Sequence, residues 1–232
     1  MKNVLITGVG KGLGKELFKS FTSKGHFVFG VVRKASDVKT LEAMAPENSR
    51  VIVADLASDT SIGLIREAVQ DAPIDLLINN AGIAGSSYQL HHVESAEINN
   101  LFNVHCLGVL RTVKALQNNL LKADKPTVLN LNSRLGSISR QSAGVYDHLA
   151  ISYSYRVAKA AQNMLTNCLR SEFRDQIQFI SLHPGKMKTE IASSDADADP
   201  AEVAHRILSH FETGRLVEEN GITELEKEII PW

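Results

Sequence analysis

The stretch Asn3-Val4-Leu5-Ile6-Thr7-Gly8-Val9-Gly10-Lys11-Gly12-Leu13-Gly14 decides the fold. Val4, Leu5 and Ile6 form an apolar run without a charge, as expected of a strand buried on both faces of a parallel sheet. A turn follows at Thr7, with Gly8, Gly10, Gly12 and Gly14 alternating through it. Leu13, Leu17, Phe18 and Phe21 then recur at helical spacing up to Lys24, and Gly25 stops the helix. Strand, glycine turn and helix aim backbone N–H groups and the positive end of a helix dipole at one point, an anion site suited to a pyrophosphate. The general Gly-x-Gly-x-x-Gly fingerprint is not met, because its last position falls on Leu13 or Lys15. What is present is Thr7-Gly8, three residues, Gly12, one residue, Gly14.

Outward from that unit, strands and helices alternate. His26 to Val32 reads as a second strand, followed by Arg33 and Lys34. The residue about 20 positions beyond a dinucleotide turn meets the adenosine ribose, and an Arg there accommodates a 2′-phosphate. Arg33, with Lys11 inside the turn, therefore argues for NADP over NAD, and Asp37 lies too far on for the ribose role. Arg50 to Ala54 is a third strand ending at Asp55-Leu56, Ser58 to Asp71 a helix, and Ile74 to Ile78 a fourth strand running into Asn79-Asn80-Ala81-Gly82. Val93 to Leu121 reads as one long helix whose broad apolar coverage predicts a partner subunit. We expect a homodimer, or a tetramer, built on it and on the helix beginning near Ser152. Thr127 to Leu131 is a fifth strand delivering Asn132 and Ser133 at its carboxyl end, where open α/β sheets bind ligands. Gln178 to Leu182 is a sixth, ending at His183-Pro184-Gly185; the small, polar, acidic segment Ser193 to Pro200 is expected at a mobile cleft edge. Ala201 to Phe211 is a last helix and Arg215 to Val217 a last strand. The expected fold is one doubly wound, Rossmann-type α/β domain over residues 1–232, with a mostly parallel seven-stranded sheet.

Composition narrows the partners. A chain of 232 residues suits one large α/β core. Lys plus Arg number 25 against 26 for Asp plus Glu, so no basic field recruits nucleic acid and a small-molecule partner is expected. Cys106 and Cys168 lie far apart without a ligand cluster, which reads as two buried thiols in a reducing compartment and no metal. No apolar run reaches the ~20 residues of a membrane span and no signal peptide is evident, so the expected location is the cytoplasm.

The chemistry is most legible at Tyr155 and Lys159. Four residues apart, they project from one helical face. A tyrosine hydroxyl with pKa near 10 is a poor acid or base at neutral pH unless a cation favours its phenolate, and Lys159 supplies that cation. Neither Tyr146 nor Tyr153 has a Lys four residues later.

Taken together, the Thr7-Gly8 turn, Asn79-Asn80-Ala81-Gly82, Ser133 after a fifth strand and Tyr155-x-x-x-Lys159 resemble the short-chain dehydrogenase/reductase family in type and order. The wording from Asn132 to Ile138 and from Tyr153 to Thr166, with Ile230-Pro231-Trp232 at the end, is similar to the branch of C-factor and sniffer-type carbonyl reductases. The resemblance implies hydride transfer between the nicotinamide of NADPH and a carbonyl carbon. Tyr155 would be the proton donor, Ser133 would hold the carbonyl oxygen, and Lys159 would bind ribose and lower the tyrosine pKa. It further implies a cofactor bed of Thr7, Gly8, Gly10, Lys11, Gly12, Leu13 and Gly14, with Arg33 at the phosphate and Asp55 with Leu56 at adenine. Asn80, Ala81, Gly82, Pro184, Gly185, Met187 and Thr189 would lie toward the nicotinamide.

Three departures stand out. Ser142 sits nearer the family's usual spacing to Tyr155, although Ser133 ends a strand and is preferred. Ala158 replaces a Ser before the lysine. His105 stands where the family places a catalytic Asn that positions a proton-relay water; it is either a working substitute titrating near neutral pH or a packed structural histidine. Two other functions remain open at this point: a regulatory or signalling protein that kept the fold and lost turnover, and an NADP-dependent alcohol dehydrogenase.

Overall fold

Successive side chains of the first strand feed two separate cores, which is why its apolar run has no polar face. Val4 and Ile6 pack with Leu17, Phe18, Phe21 and Ile207 on one side of the sheet. Leu5 packs with Ile65, Val113, Leu116 and Phe179 on the other. The computed structural model describes residues 1–185, 198–217, 219–225 and 229–232. Its first half runs β1 (Asn3–Thr7), α1 (Gly12–Ser23), β2 (Phe27–Val32), α2 (Val38–Glu42), β3 (Ser49–Val53), α3 (Thr60–Val69) and β4 (Leu76–Asn79). Then follow α4 (Ser95–Phe102), a π-helical turn (Asn103–Leu107), α5 (Gly108–Leu121), β5 (Thr127–Leu131), α6 (Ile138–Ser142), α7 (Tyr153–Glu172), β6 (Gln178–His183), α8 (Pro200–Glu212) and β7 (Thr223–Glu224).

The seven strands lie in the order β3-β2-β1-β4-β5-β6-β7, and every pairing between them is parallel. The chain moves outward from β1 to β3 and then crosses back to β4, so the order reverses between β1 and β4. Ligands of open α/β sheets bind at the carboxyl ends of strands beside such a reversal. The glycine turn after β1, the Asn-Asn-Ala-Gly segment after β4 and Ser133 after β5 all lie at that edge.

Three expectations are corrected. The helix expected over 93–121 is interrupted: the Gly108 N–H bonds Asn103 O, five residues back, and this wider turn separates α4 from α5. Of its apolar residues, Val109, Val113, Leu116 and Leu120 are buried in the chain's own core, whereas Ile98, Phe102, Leu107 and Leu110 are half-buried. The last strand is not 215–217: the Arg215 and Leu216 N–H groups turn back onto His210 O, and Thr223–Glu224 pairs with β6 instead. Cys106 is buried as expected, but Cys168 is exposed on α7. Among the described residues, no helix is long and apolar enough to cross a membrane.

Candidate active site

The glycine turn is built for close approach. Gly8 and Gly12 have φ of 74° and 56°, a left-handed region that favours glycine. A Cβ at Gly14 would lie 2.2 Å from Gly8 O, and one at Gly8 would lie 2.9 Å from the Ala81 Cα. Lys11 occupies the N-cap of α1 without a side-chain cap hydrogen bond, so no cap side chain consumes the N–H groups of the first turn. Leu13 is buried against the core behind them. This glycine-rich cradle, opening a helix, fits a dinucleotide pyrophosphate.

The turn is braced by the segment after β4. Thr7 Oγ accepts from the Asn80 and Ala81 N–H groups, both at 3.0 Å, and the Asn80 side chain donates to Thr7 O at 2.8 Å and Gly8 O at 3.2 Å. These two side chains are therefore committed to holding the bed. Arg33 is exposed directly after β2. Asp37, set aside on sequence distance, is brought to the turn, its Oδ2 2.8 Å from where a Cβ at Gly10 would sit. Asp55 accepts from the Ala57 N–H at 3.0 Å, and Leu56 is buried beside it. Pro184 and Gly185 follow β6, Gly185 with φ of 97°. Met187, Thr189 and most of the 193–200 segment lie outside the described residues.

At the carboxyl end of β5, Ser133 is buried and N-caps a short turn through its Oγ, while the exposed Ser142 ends α6. Ser133 is thus the serine brought beside Tyr155, its Oγ already accepting from the Leu135 N–H at 3.2 Å. Ser152 caps α7 by accepting from the Tyr155 N–H, which fixes where the Tyr155 turn begins. Burial pushes the Tyr155 hydroxyl up to about 12, against a smaller lowering by Ser133. Lys159 Nζ lies 5.7 Å from the centre of the Tyr155 ring and donates to Leu131 O at 2.8 Å and Gln162 Oε1 at 2.9 Å. Those bonds use two of its three ammonium protons. Burial holds its pKa down to about 7.

His105 comes to the same place through the π turn. Its ring meets Tyr155 edge-on, centroids 5.5 Å apart and planes at 88°, and Gly82 makes room, since a Cβ there would lie 2.6 Å from His105 Cε1. Nε2 lies 2.8 Å from Ile83 O and 3.2 Å from Ile83 N. One nitrogen cannot serve both, and the shorter contact assigns the proton to Nε2, leaving Nδ1 an acceptor. Among the described residues, Nδ1 is buried without a hydrogen-bond partner. Burial, then the Lys159 cation, push the imidazole pKa down to about 3, so the ring is neutral.

Several supporting residues fall outside the motifs, some of them tied to Asn79, the first residue of the Asn-Asn-Ala-Gly segment. Asn79 Nδ2 donates to Asn130 Oδ1 at 2.8 Å, and Asn130 donates in turn to Thr166 Oγ at 2.9 Å, linking β4, β5 and α7 through the core. Asn132 donates to Asn163, which also accepts from Ser181. Amides interrupting apolar strand ends, together with Gln162 and Asn163 on α7, were the available signal. Glu97 on α4 accepts from the Ser86 N–H at 2.7 Å and from the Ser87 hydroxyl, tying down the loop after β4.

A model of the short chain dehydrogenase family matches residues 2–200. The NADPH-dependent 3-dehydrocapnine reductase of Ornithobacterium rhinotracheale is 30% identical over 202 residues, 82% of this chain and 67% of that protein. The C-signal protein of Myxococcus xanthus is 30% identical over 162 residues, 69% of this chain and 93% of that one. Among solved structures, the carbonyl reductase Sniffer of D. melanogaster superposes with a TM-score of 0.85 at 27% identity, covering 100% of both chains.

Proposed function

This chain belongs to the short-chain dehydrogenase family, and we propose that it is an NADPH-dependent carbonyl reductase whose proton donor is Tyr155. The observation that carries the reading is Lys159 beside the Tyr155 ring, with Ser133 close by, at the sheet edge that holds the glycine cradle. NADPH, when bound, supplies the hydride. Ser133 holds the carbonyl oxygen, and Tyr155 gives it a proton as negative charge develops there. The phenolate left behind needs a cation, which Lys159 provides, its remaining ammonium proton being available to a ribose hydroxyl.

The cradle Thr7 to Gly14 takes the pyrophosphate, Arg33 and Lys11 the 2′-phosphate, and Asp55 and Leu56 the adenine. Backbone at Asn80, Ala81, Gly82, Pro184 and Gly185 lies along the nicotinamide half, and Met187 and Thr189 remain in the assignment by their place in the motif. His105 acts as a neutral acceptor that orients a relay water through Nδ1. Residues 1–232 act as one NADP-binding domain. The exposed Cys168 thiol suits the reducing cytoplasm, and exposed Val157 and Met164 on α7 support a homodimer.

The test is NADPH oxidation followed by absorbance over a panel of aldehydes, ketones and quinones. Tyr155→Phe is expected to lose turnover by roughly 10²–10⁴-fold while NADPH affinity is kept, since only the proton donor is removed. No oxidation with any carbonyl, or an unchanged rate in the variant, overturns the reading. In the first case the similarity to C-signal would favour a regulatory role for the bound nucleotide.

A further inference from the structure

α6 follows Ser133 closely in the chain, yet none of its five residues is buried. Ile138 is 65% exposed. A segment with so little apolar packing opens at low cost unless hydrogen bonds hold it. One bond comes from α7, where Arg156 donates to Gln141 Oε1 at 2.6 Å, and the others come from residues 231 and 232. The Ser137 hydroxyl, which N-caps α6 by accepting from the Arg140 N–H, donates to Pro231 O at 2.5 Å. Trp232 O accepts from the Ser139 N–H at 2.9 Å and from the Ser139 hydroxyl.

The other side of these contacts is anchored. Ile230 is fully buried and exchanges backbone bonds with Ile222 at 2.7 and 2.9 Å. The Trp232 indole N–H donates to Asn220 Oδ1 at 3.1 Å, and the Arg170 guanidinium sits 5.8 Å from the Trp232 ring centre. Arg170 belongs to the last turns of α7, the helix whose first turns carry Tyr155 and Lys159. On the opposite side, Gly136 is pressed onto α7, where a Cβ would lie 2.8 Å from the Lys159 carbonyl carbon, and Asn163 donates to Gly136 O. The segment 133–142 is therefore held between α7 and residues 230–232.

We infer that residues 230–232 form a strap that positions α6 as a wall of the substrate cleft, with Trp232 as its positioning residue. The inference rests on the reductase reading for its kinetic consequence. Among the described residues no hydrogen bond joins 230–232 to the glycine cradle, so the strap is expected to act on the carbonyl substrate and not on the cofactor.

The experiment compares Trp232→Ala, Trp232→Phe and Ser139→Ala with the wild type. It measures NADPH affinity, KM and kcat for 4-nitrobenzaldehyde and 9,10-phenanthrenequinone, and hydrogen exchange at the Ser139 amide. Trp232→Ala is expected to raise KM by at least about fivefold with kcat changed less, the pattern of lost substrate positioning. NADPH affinity stays unchanged and Ser139 exchanges faster. Trp232→Phe keeps a ring under Arg170, loses the Asn220 bond and falls between. Ser139→Ala, which retains the Ile222–Ile230 pairing, moves KM in the same direction if the alanine variant of Trp232 fails to fold. Faster exchange with unchanged KM would make the strap merely structural, and unchanged exchange would show that it does not hold α6; either overturns the inference. If the wild type reduces neither carbonyl, the reductase reading fails separately, and Ser139 exchange still decides whether the strap holds α6.

Discussion

His105 and Lys159 divide the pH behaviour of the site between them. The imidazole, pushed down to about 3 by burial and the Lys159 cation, stays neutral throughout the pH 5 to 8 range in which an unperturbed histidine titrates. His105→Asn is therefore expected to leave the shape of the kcat/KM profile over that range unchanged, whereas the residue type alone suggested that the substitution would flatten it. Lys159, pushed down to about 7 by burial, is charged below that pH and loses its ammonium as pH rises through it. The wild-type kcat/KM should fall above about pH 7, as the cation beside Tyr155 is lost. An acid limb near pH 6 that disappears in His105→Asn would return the titration to the imidazole. At the other end of the cofactor, Arg33→Ala should weaken NADPH by ~1.5–3 kcal/mol, the range for hydrogen bonds to charged groups, and leave NADH nearly unchanged. Titration of both nucleotides by fluorescence checks this, and an equal loss for both removes Arg33 from the 2′-phosphate.

Among the elements, α4 and the loop after β4 show how local chemistry sets the shape of the cleft. Glu97 collects donors from Ser86 and Ser87, and these hydrogen bonds, led by the Ser87 hydroxyl, hold its carboxyl down to about 2 from 4.5. A carboxylate lowered in the folded state contributes its stability above the unfolded value of 4.5 and loses it as pH falls toward 2. Glu97→Gln should thus speed amide exchange at Ser86 and Ser87 at pH 7, while the wild-type loop loosens only below pH 4.5. Equal exchange in both proteins at pH 7 would count against the tether. The same region shows why an apolar pattern did not disclose the π turn. Ile98, Leu101 and Phe102 before the turn, and Val113, Leu116 and Leu120 after it, recur at helical spacings of three and four, so both flanks read as helix and the five-residue bond from Gly108 to Asn103 O falls between them.

For the molecule as a whole, the proposed homodimer is expected to use the exposed apolar face of α7. Met164 is 65% and Val157 47% exposed, so Met164→Glu is expected to convert a dimer to monomer in light scattering with NADPH affinity kept; a wild-type monomer would dispose of the assembly. The sequence by itself determined the alternation of strands and helices, the glycine cradle and the Tyr155–Lys159 pair, because each depends on neighbours within a few residues: period, turn chemistry and helical spacing. Only the tertiary structure decided matters that join distant segments. It placed Ser133 beside Tyr155 while Ser142 is exposed, and brought Asp37 to Gly10. It replaced the strand expected at 215–217 with Thr223–Glu224, since backbone folded onto His210 cannot also pair with β6. It also set the protonation of His105 and Lys159, because desolvation depends on what surrounds a side chain in space, and a residue's type and its sequence neighbours do not specify that.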